Sequence, residues 1–167
     1  MTPRIDKQAL LSAFTAQLEA ELARAKERAR DAADAATHVE NRAEGDKDMR
    51  ATEASYVARG HSERVFQLEQ ALGQLRAMAS ARGLPSLKEG DPIGQGAVVC
   101  LEHANNRSWY FLIPVAGGQR VSVAGVSFQA LTAQSPLGAA LRGLSTEDEV
   151  EVVTPQGLRT SLIVSVQ

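Results

Sequence analysis

The chain has 167 residues, enough for one or two small domains, and only 4% of them are aromatic, which excludes one large aromatic-rich core. Its formal net charge is −2, with 13 bases and 13 acids in residues 1–82 against 5 and 7 in residues 83–167, so neither half is an autonomous nucleic-acid binder. No apolar run is long enough to span a membrane, and Arg4, Asp6 and Lys7 interrupt any signal peptide, so a cytoplasmic protein without membrane contact is expected.

As far as Gly83 the residues are those of helices: Ala, Leu, Glu, Arg and Gln dominate, and Pro3 is the only proline before Pro85. A first apolar series runs Leu11, Phe14, Leu18, Leu22, Ala25, Ala29, Ala32, Ala36, Val39, in steps of 3 and 4 with one irregularity. A second runs Ala51, Ala54, Ala58, His61, Val65, Leu68, Leu72, Leu75, Ala79 and alternates without a break. Neither stripe is stable alone in water, but each can bury the other, and the short stretch between them predicts antiparallel neighbours. At about 1.5 Å per residue the arms extend roughly 45–50 Å. The seam is leucine and phenylalanine at one end and alanine toward the connecting segment, where the axes can approach more closely.

The segment at 40–50, Glu40-Asn-Arg-Ala-Glu44-Gly45-Asp46-Lys47-Asp48-Met49-Arg50, carries four acids and three bases. Gly45 suits the reversal, and Asp46 or Asp48 can cap the second helix. The same carboxylates could instead be displayed to a partner, supplying one or two oxygens to a Mg²⁺ completed elsewhere.

Gly83-Leu84-Pro85-Ser86 reads as a helix stop and linker, which divides the chain into a helical domain 1–83 and a β-rich domain 84–167. Strands are expected over Gly96–His103, Trp109–Pro114, Arg120–Val123, Ser127–Leu131, Glu149–Thr154 and Leu158–Ser165. Asn105-Asn106 and Thr154-Pro155-Gln156-Gly157 read as hairpin turns. Ser135-Pro136 followed by Leu137–Arg142 reads as one short helix, N-capped by Ser135 and stopped at Gly143. Together these give an α+β chain: an antiparallel helical hairpin, or coiled coil, followed by an antiparallel sheet with one short helix. Cys100, the only cysteine, excludes a disulfide and a thiolate zinc site, and its apolar surroundings predict a buried, unreactive thiol. His38, His61 and His103 are scattered, nucleotide-binding and nucleophile motifs are absent, and Glu147-Asp148-Glu149 reads as a solvated turn. No catalytic set emerges, so a free-standing enzyme is not expected.

The hairpin followed by Ser135-Pro-Leu-Gly-Ala-Ala-Leu-Arg-Gly143, Glu147-Asp148-Glu149-Val150-Glu151-Val152 and Thr154-Pro155-Gln156-Gly157 resembles the Gre-type bacterial transcript cleavage factors. That family carries a Ser-Pro helix ending in Gly, then Gly-Asp-x-Val-x-Val and a Pro-x-Gly hairpin. The resemblance implies an FKBP-like C-terminal domain that docks on RNA polymerase. It further implies a hairpin that enters the secondary channel, and a monomer that stimulates the polymerase's own cleavage of backtracked RNA near the RNA 3′ end. Asp46 and Asp48 would then hold Mg²⁺ shared in trans with the polymerase, none being bound by the factor alone, and Glu44 would join them in the catalytic role. The chain matches the family's Gly-Asp at Gly45-Asp46, but Met49 stands where a second acid belongs, and Glu53-Ala54-Ser55-Tyr56 matches the later pattern only with an insertion. Two alternatives follow: a channel-binding regulator or inhibitor without cleavage, and an FKBP-like isomerase or chaperone, which calls for an aromatic-lined pocket.

Overall fold

The computed structural model describes residues 4–40, 42, 49–80, 84–88 and 90–167. Helix α1 (Lys7–Glu40) and helix α2 (Met49–Met78) are followed by six strands and a short helix. The strands are β1 (Val98–His103), β2 (Asn106–Leu112), β3 (Arg120–Val123), β4 (Val126–Leu131), β5 (Glu149–Thr154) and β6 (Gly157–Val166), with α3 (Pro136–Leu141) between β4 and β5. The chain clusters into two compact units, Ala16–Gly73 and a second made of Met1–Thr15 with Gln74–Gln167. Among the described residues no helix is long and apolar enough to cross a membrane.

In the unit Ala16–Gly73, two helices are joined by eight residues. Eight residues span at most about 28 Å, too little to return along a helix of this length, so the helices are antiparallel. From Leu18 to Val39 and from Ala51 to Leu72 every member of both apolar series is buried or half-buried, as the spacing requires; Leu11, Phe14 and Leu75, also buried, belong to the second unit. Leu18, Leu68 and Leu72 are buried at the leucine end, and Ala25 and Ala36 along the alanine stretch. Ala79 lies beyond the end of α2 and is exposed, whereas Met78, which belongs to the second unit, is 4% exposed. Ion pairs Lys26–Glu69 (2.7 Å) and Arg64–Glu21 tie the helices at their solvent edge. Exposed pairs of this kind contribute at most about 1 kcal/mol, so the seam dominates.

In the second unit, Asp6 opens α1 by accepting from the backbone amides of Gln8 and Ala9, both at 3.0 Å. The expected helix stop at Gly83 lies outside the described residues. Lys7 Nζ donates to the Pro85 carbonyl at 2.6 Å, and burial pushes its ammonium down to about 8.

The sheet has the order β3-β4-β2-β1-β6-β5. Four of its pairings are antiparallel as expected, but β2 and β4 run parallel, so the sheet is mixed. The connection 113–119 is too long for a tight hairpin and carries the chain to the outer edge; β4 then returns between β3 and β2. Strand ends depart from expectation by at most three residues. The first hairpin turn falls on Ala104-Asn105, one residue earlier than expected, with φ of 49° and 60°. A two-residue loop closing the His103–Asn106 pair needs positive φ at both positions.

Strand β1 is buried on both faces. On one face Val99, Leu101, Leu112, Val150 and Ile163 pack with Leu141 of α3. On the other, Phe111 meets Phe14 of α1 at 6.2 Å between ring centroids, and Trp109 meets Phe128 at 5.9 Å.

Truncating Leu72→Ala should cost about 2–5 kcal/mol in urea unfolding followed by helical circular dichroism, whereas Ala36→Gly should cost about 1 kcal/mol. Between about pH 8 and 10.5 the unfolded chain holds more protons at Lys7 than the folded chain, so stability from this group rises with pH. The stability difference between wild type and Lys7→Met should change across that window and level off outside it.

Candidate functional site

Two segments carry the sequence features of functional interest: the joint between α1 and α2, and the run from Ser135 to Gly157. Glu44, Asp46 and Asp48 lie outside the described residues, as does Gly45. Among the described residues no group of His, Cys, Asp and Glu could hold a metal ion.

The residues flanking the joint are described. The last turn of α1 closes with the Arg42 amide donating to the Val39 carbonyl at 3.1 Å. Alanine keeps the seam continuous to this end: Ala36 is buried, and Ala51, Ala54 and Ala58 of α2 are half-buried. Met49, at the position of the missing acid, is the first residue of α2 and is 84% exposed. Glu53 is exposed, Tyr56 is 67% exposed and Val57 is 51% exposed. Tyr56, with Thr52, Ser55 and Arg59, borders a shallow groove along α2. The resemblance singles out Met49 and Glu53-Ala54-Ser55-Tyr56, but not Val57 or the exposed face that Tyr56 shares with it. The signal was present, because residues 56 and 57 fall between the seam positions 54 and 58.

The C-terminal run is built as its residues dictate. Ser135 N-caps α3: its Oγ accepts from the Gly138 amide at 3.1 Å and donates to the Thr132 carbonyl at 2.8 Å. Pro136 occupies the first helical turn, where a missing amide costs nothing. Gly138 is required there, because a Cβ at this position would lie 2.0 Å from the Thr132 carbonyl oxygen. Leu141 is wholly buried and anchors the helix on the sheet.

The acids before β5 form a solvated turn. Asp148 Oδ2 accepts from the amide of Ser145 at 2.7 Å and from its hydroxyl at 3.1 Å, and Glu147, Asp148 and Glu149 are exposed. Glu147 stands where the resembling family has glycine, and its φ is +76°, a backbone state that glycine adopts without strain. Thr154 pairs with Gly157 across Pro155-Gln156, the expected second hairpin.

The face of the sheet that packs on α3 holds a pocket of about 160 Å³ lined by Leu101, Leu137, Val152, His103, Arg159 and Tyr110, among others. The His103 ring nitrogen Nδ1 hydrogen-bonds to the Thr160 carbonyl at 2.7 Å. Among the described residues Tyr110 is the one aromatic in that lining. Trp109, Phe111 and Phe128 share the opposite face, so the aromatic-lined pocket that an isomerase calls for is not formed there. Cys100 is 1% exposed and burial pushes its thiol up to about 11, so it is an inert core residue.

No protein-family model and no curated protein matches the chain. Among solved structures it is similar to the GreA factor homolog 1 protein of Thermus thermophilus, at 23% identity over 92% of this chain and 94% of that one, with a TM-score of 0.37. The homologous factor of Thermus aquaticus gives 22% identity, coverage of 93% and 95%, and a TM-score of 0.39. A prokaryotic transcription elongation factor GreA/GreB from Nitrosomonas europaea gives 21%, 60% and 78%, and a TM-score of 0.38. With TM-scores this low, functional assignment rests on the chain's own residues.

Gly138→Ala should destabilise the fold by about 3 kcal/mol, because backbone rather than a flexible side chain must yield. Glu147→Gly should raise stability by about 0.5–1 kcal/mol by relieving the left-handed position. Thermal unfolding of the two variants beside the wild type checks both signs.

Proposed function

We propose that the chain is a transcription elongation factor: it binds RNA polymerase, places its helical hairpin in the secondary channel and stimulates cleavage of backtracked RNA. The observation that carries this reading is the hairpin itself. Two long helices are held by an alanine seam up to their joint, and the eight residues that join them include Glu44, Asp46 and Asp48. A compact domain gains nothing from a thin pair of helices whose seam toward the joint is alanine, whereas a partner with a narrow opening does. The Ser135-capped helix and the Pro155-Gln156 hairpin add the features of the resembling family's polymerase-docking domain.

In this reading the chain is not itself an enzyme. Asp46 and Asp48 supply carboxylate oxygens to a Mg²⁺ held mainly by the polymerase, and Glu44 lies beside them in sequence to orient or neutralise charge. The metal supplies the activation of water and the stabilisation of charge on the scissile phosphate.

Met49 favours a second reading, a channel-binding regulator without cleavage, because an exposed methionine replaces an acid at the helix start. A backtracked elongation complex separates the two. The first reading expects RNA shortening in Mg²⁺ to be at least tenfold faster with the protein, and Asp46→Ala or Asp48→Ala to remove most of the gain. Shortening no faster than in its absence, with elongation nonetheless altered, establishes the regulator. A stimulated rate unchanged in both variants overturns the assignment of the two acids.

A further inference from the structure

A cavity of about 760 Å³ opens beside the C-terminal end of α3, within the unit that contains the sheet. Its floor is apolar: Ile93, Leu112 and Ile113 are each at most 3% exposed. Four exposed polar residues border it, Gln74, Gln95, Gln134 and Arg142. Among the described residues none of the four makes a side-chain hydrogen bond or ion pair, and no carboxylate lines the cavity. Its size falls within the roughly 300–1,000 Å³ of small-molecule sites, and an apolar floor with a few converging polar groups is the usual make-up of such sites.

We propose that this cavity binds a nucleoside phosphate. Among the described residues Arg142 is the one cation of the lining, and its planar guanidinium can match a phosphate through two parallel hydrogen bonds. Each glutamine amide offers a donor and an acceptor, the pairing that the edge of a heterocyclic base presents. Pro114 and Ala133, less buried than the floor, offer apolar surface to the base. An anion meets no repulsion from the described lining, which holds no acid. The site uses none of the acids invoked for cleavage, and although Arg142 caps the Ser135-led helix, nucleotide binding is read on the protein alone, so it stands or falls separately.

The structure also supplies a means of blocking the cavity. Gly94 lines it, its φ is not in the left-handed region, and a Cβ there meets no atom within 4 Å. Gly94→Leu therefore fills the space without forcing the backbone. Titrating the full-length protein with GMP and AMP, with guanosine and inorganic phosphate as separate arms, tests the site by amide chemical shifts. Saturable binding of a nucleotide is expected, with shifts at residues 94, 95, 134 and 142. Arg142→Ala and Gly94→Leu should each weaken it at least tenfold while leaving the amide spectrum of the fold in place. Should Gly94→Leu fail to fold, Arg142→Ala, exposed and unpaired among the described residues, carries the test alone. Three results would overturn the proposal: no saturable binding at millimolar nucleotide, binding indifferent to Arg142→Ala, or inorganic phosphate binding as tightly as GMP.

Discussion

The helical part of this protein depends on mutual burial. Neither α1 nor α2 has enough intrinsic stability to persist in water with an apolar stripe exposed, so each is the other's core. The eight-residue joint admits only an antiparallel pairing, which sets leucine against leucine at one end and alanine against alanine at the other. At about 0.8 kcal/mol per buried methylene, the leucine end contributes most of the stability and the alanine end relatively little. What alanine provides instead is close approach of the two axes and high helix propensity. The result is a slender pair of helices that can extend without bulky side chains to hold it.

The sheet answers a different constraint. Strand β1 contributes Val98, Val99, Cys100 and Leu101, all buried, so it needs cover on both faces. Leu141 of α3 supplies it on one side, and Phe14 against Phe111 on the other. This is why the first turns of α1 belong with the sheet in one compact unit although their residues share the composition of the helical segment. The single cysteine shares the outcome: central in the sheet and sealed on both faces, it is held as a neutral thiol.

The Ser135–Gly143 run shows how a short motif acquires its residues from three separate demands. Serine satisfies an amide that the helix leaves open, proline occupies a position with no amide to lose, and glycine lets the helix pass against the Thr132 carbonyl. Glu147 shows the converse, a residue placed in a backbone state that costs it energy, in a turn already held by Asp148. Sequence motifs of this kind record backbone geometry as much as chemistry.

Local rules made much of the architecture legible. The 3-and-4 spacing identified both helical faces, and short β-branched runs between turn residues placed all six strands, because side-chain periodicity is set by the backbone of a single element. Ser135 and Pro136 were readable for the same reason: a cap involves neighbours three residues away. The parallel pairing of β2 with β4 was not readable, since it depends on where a seven-residue connection carries the chain. Nor was the burial of Met78 rather than Ala79, which depends on where α2 stops. The acids at 44, 46 and 48 could be singled out by composition and resemblance alone. The cavity at Arg142 could not be found that way, because Gln74, Gln95, Gln134 and Arg142 come from segments remote in sequence and meet only after the sheet has closed around its core. Periodicity and capping are local and were determined by the sequence itself; which distant elements become neighbours is decided by competition for burial, and only the tertiary structure resolves it.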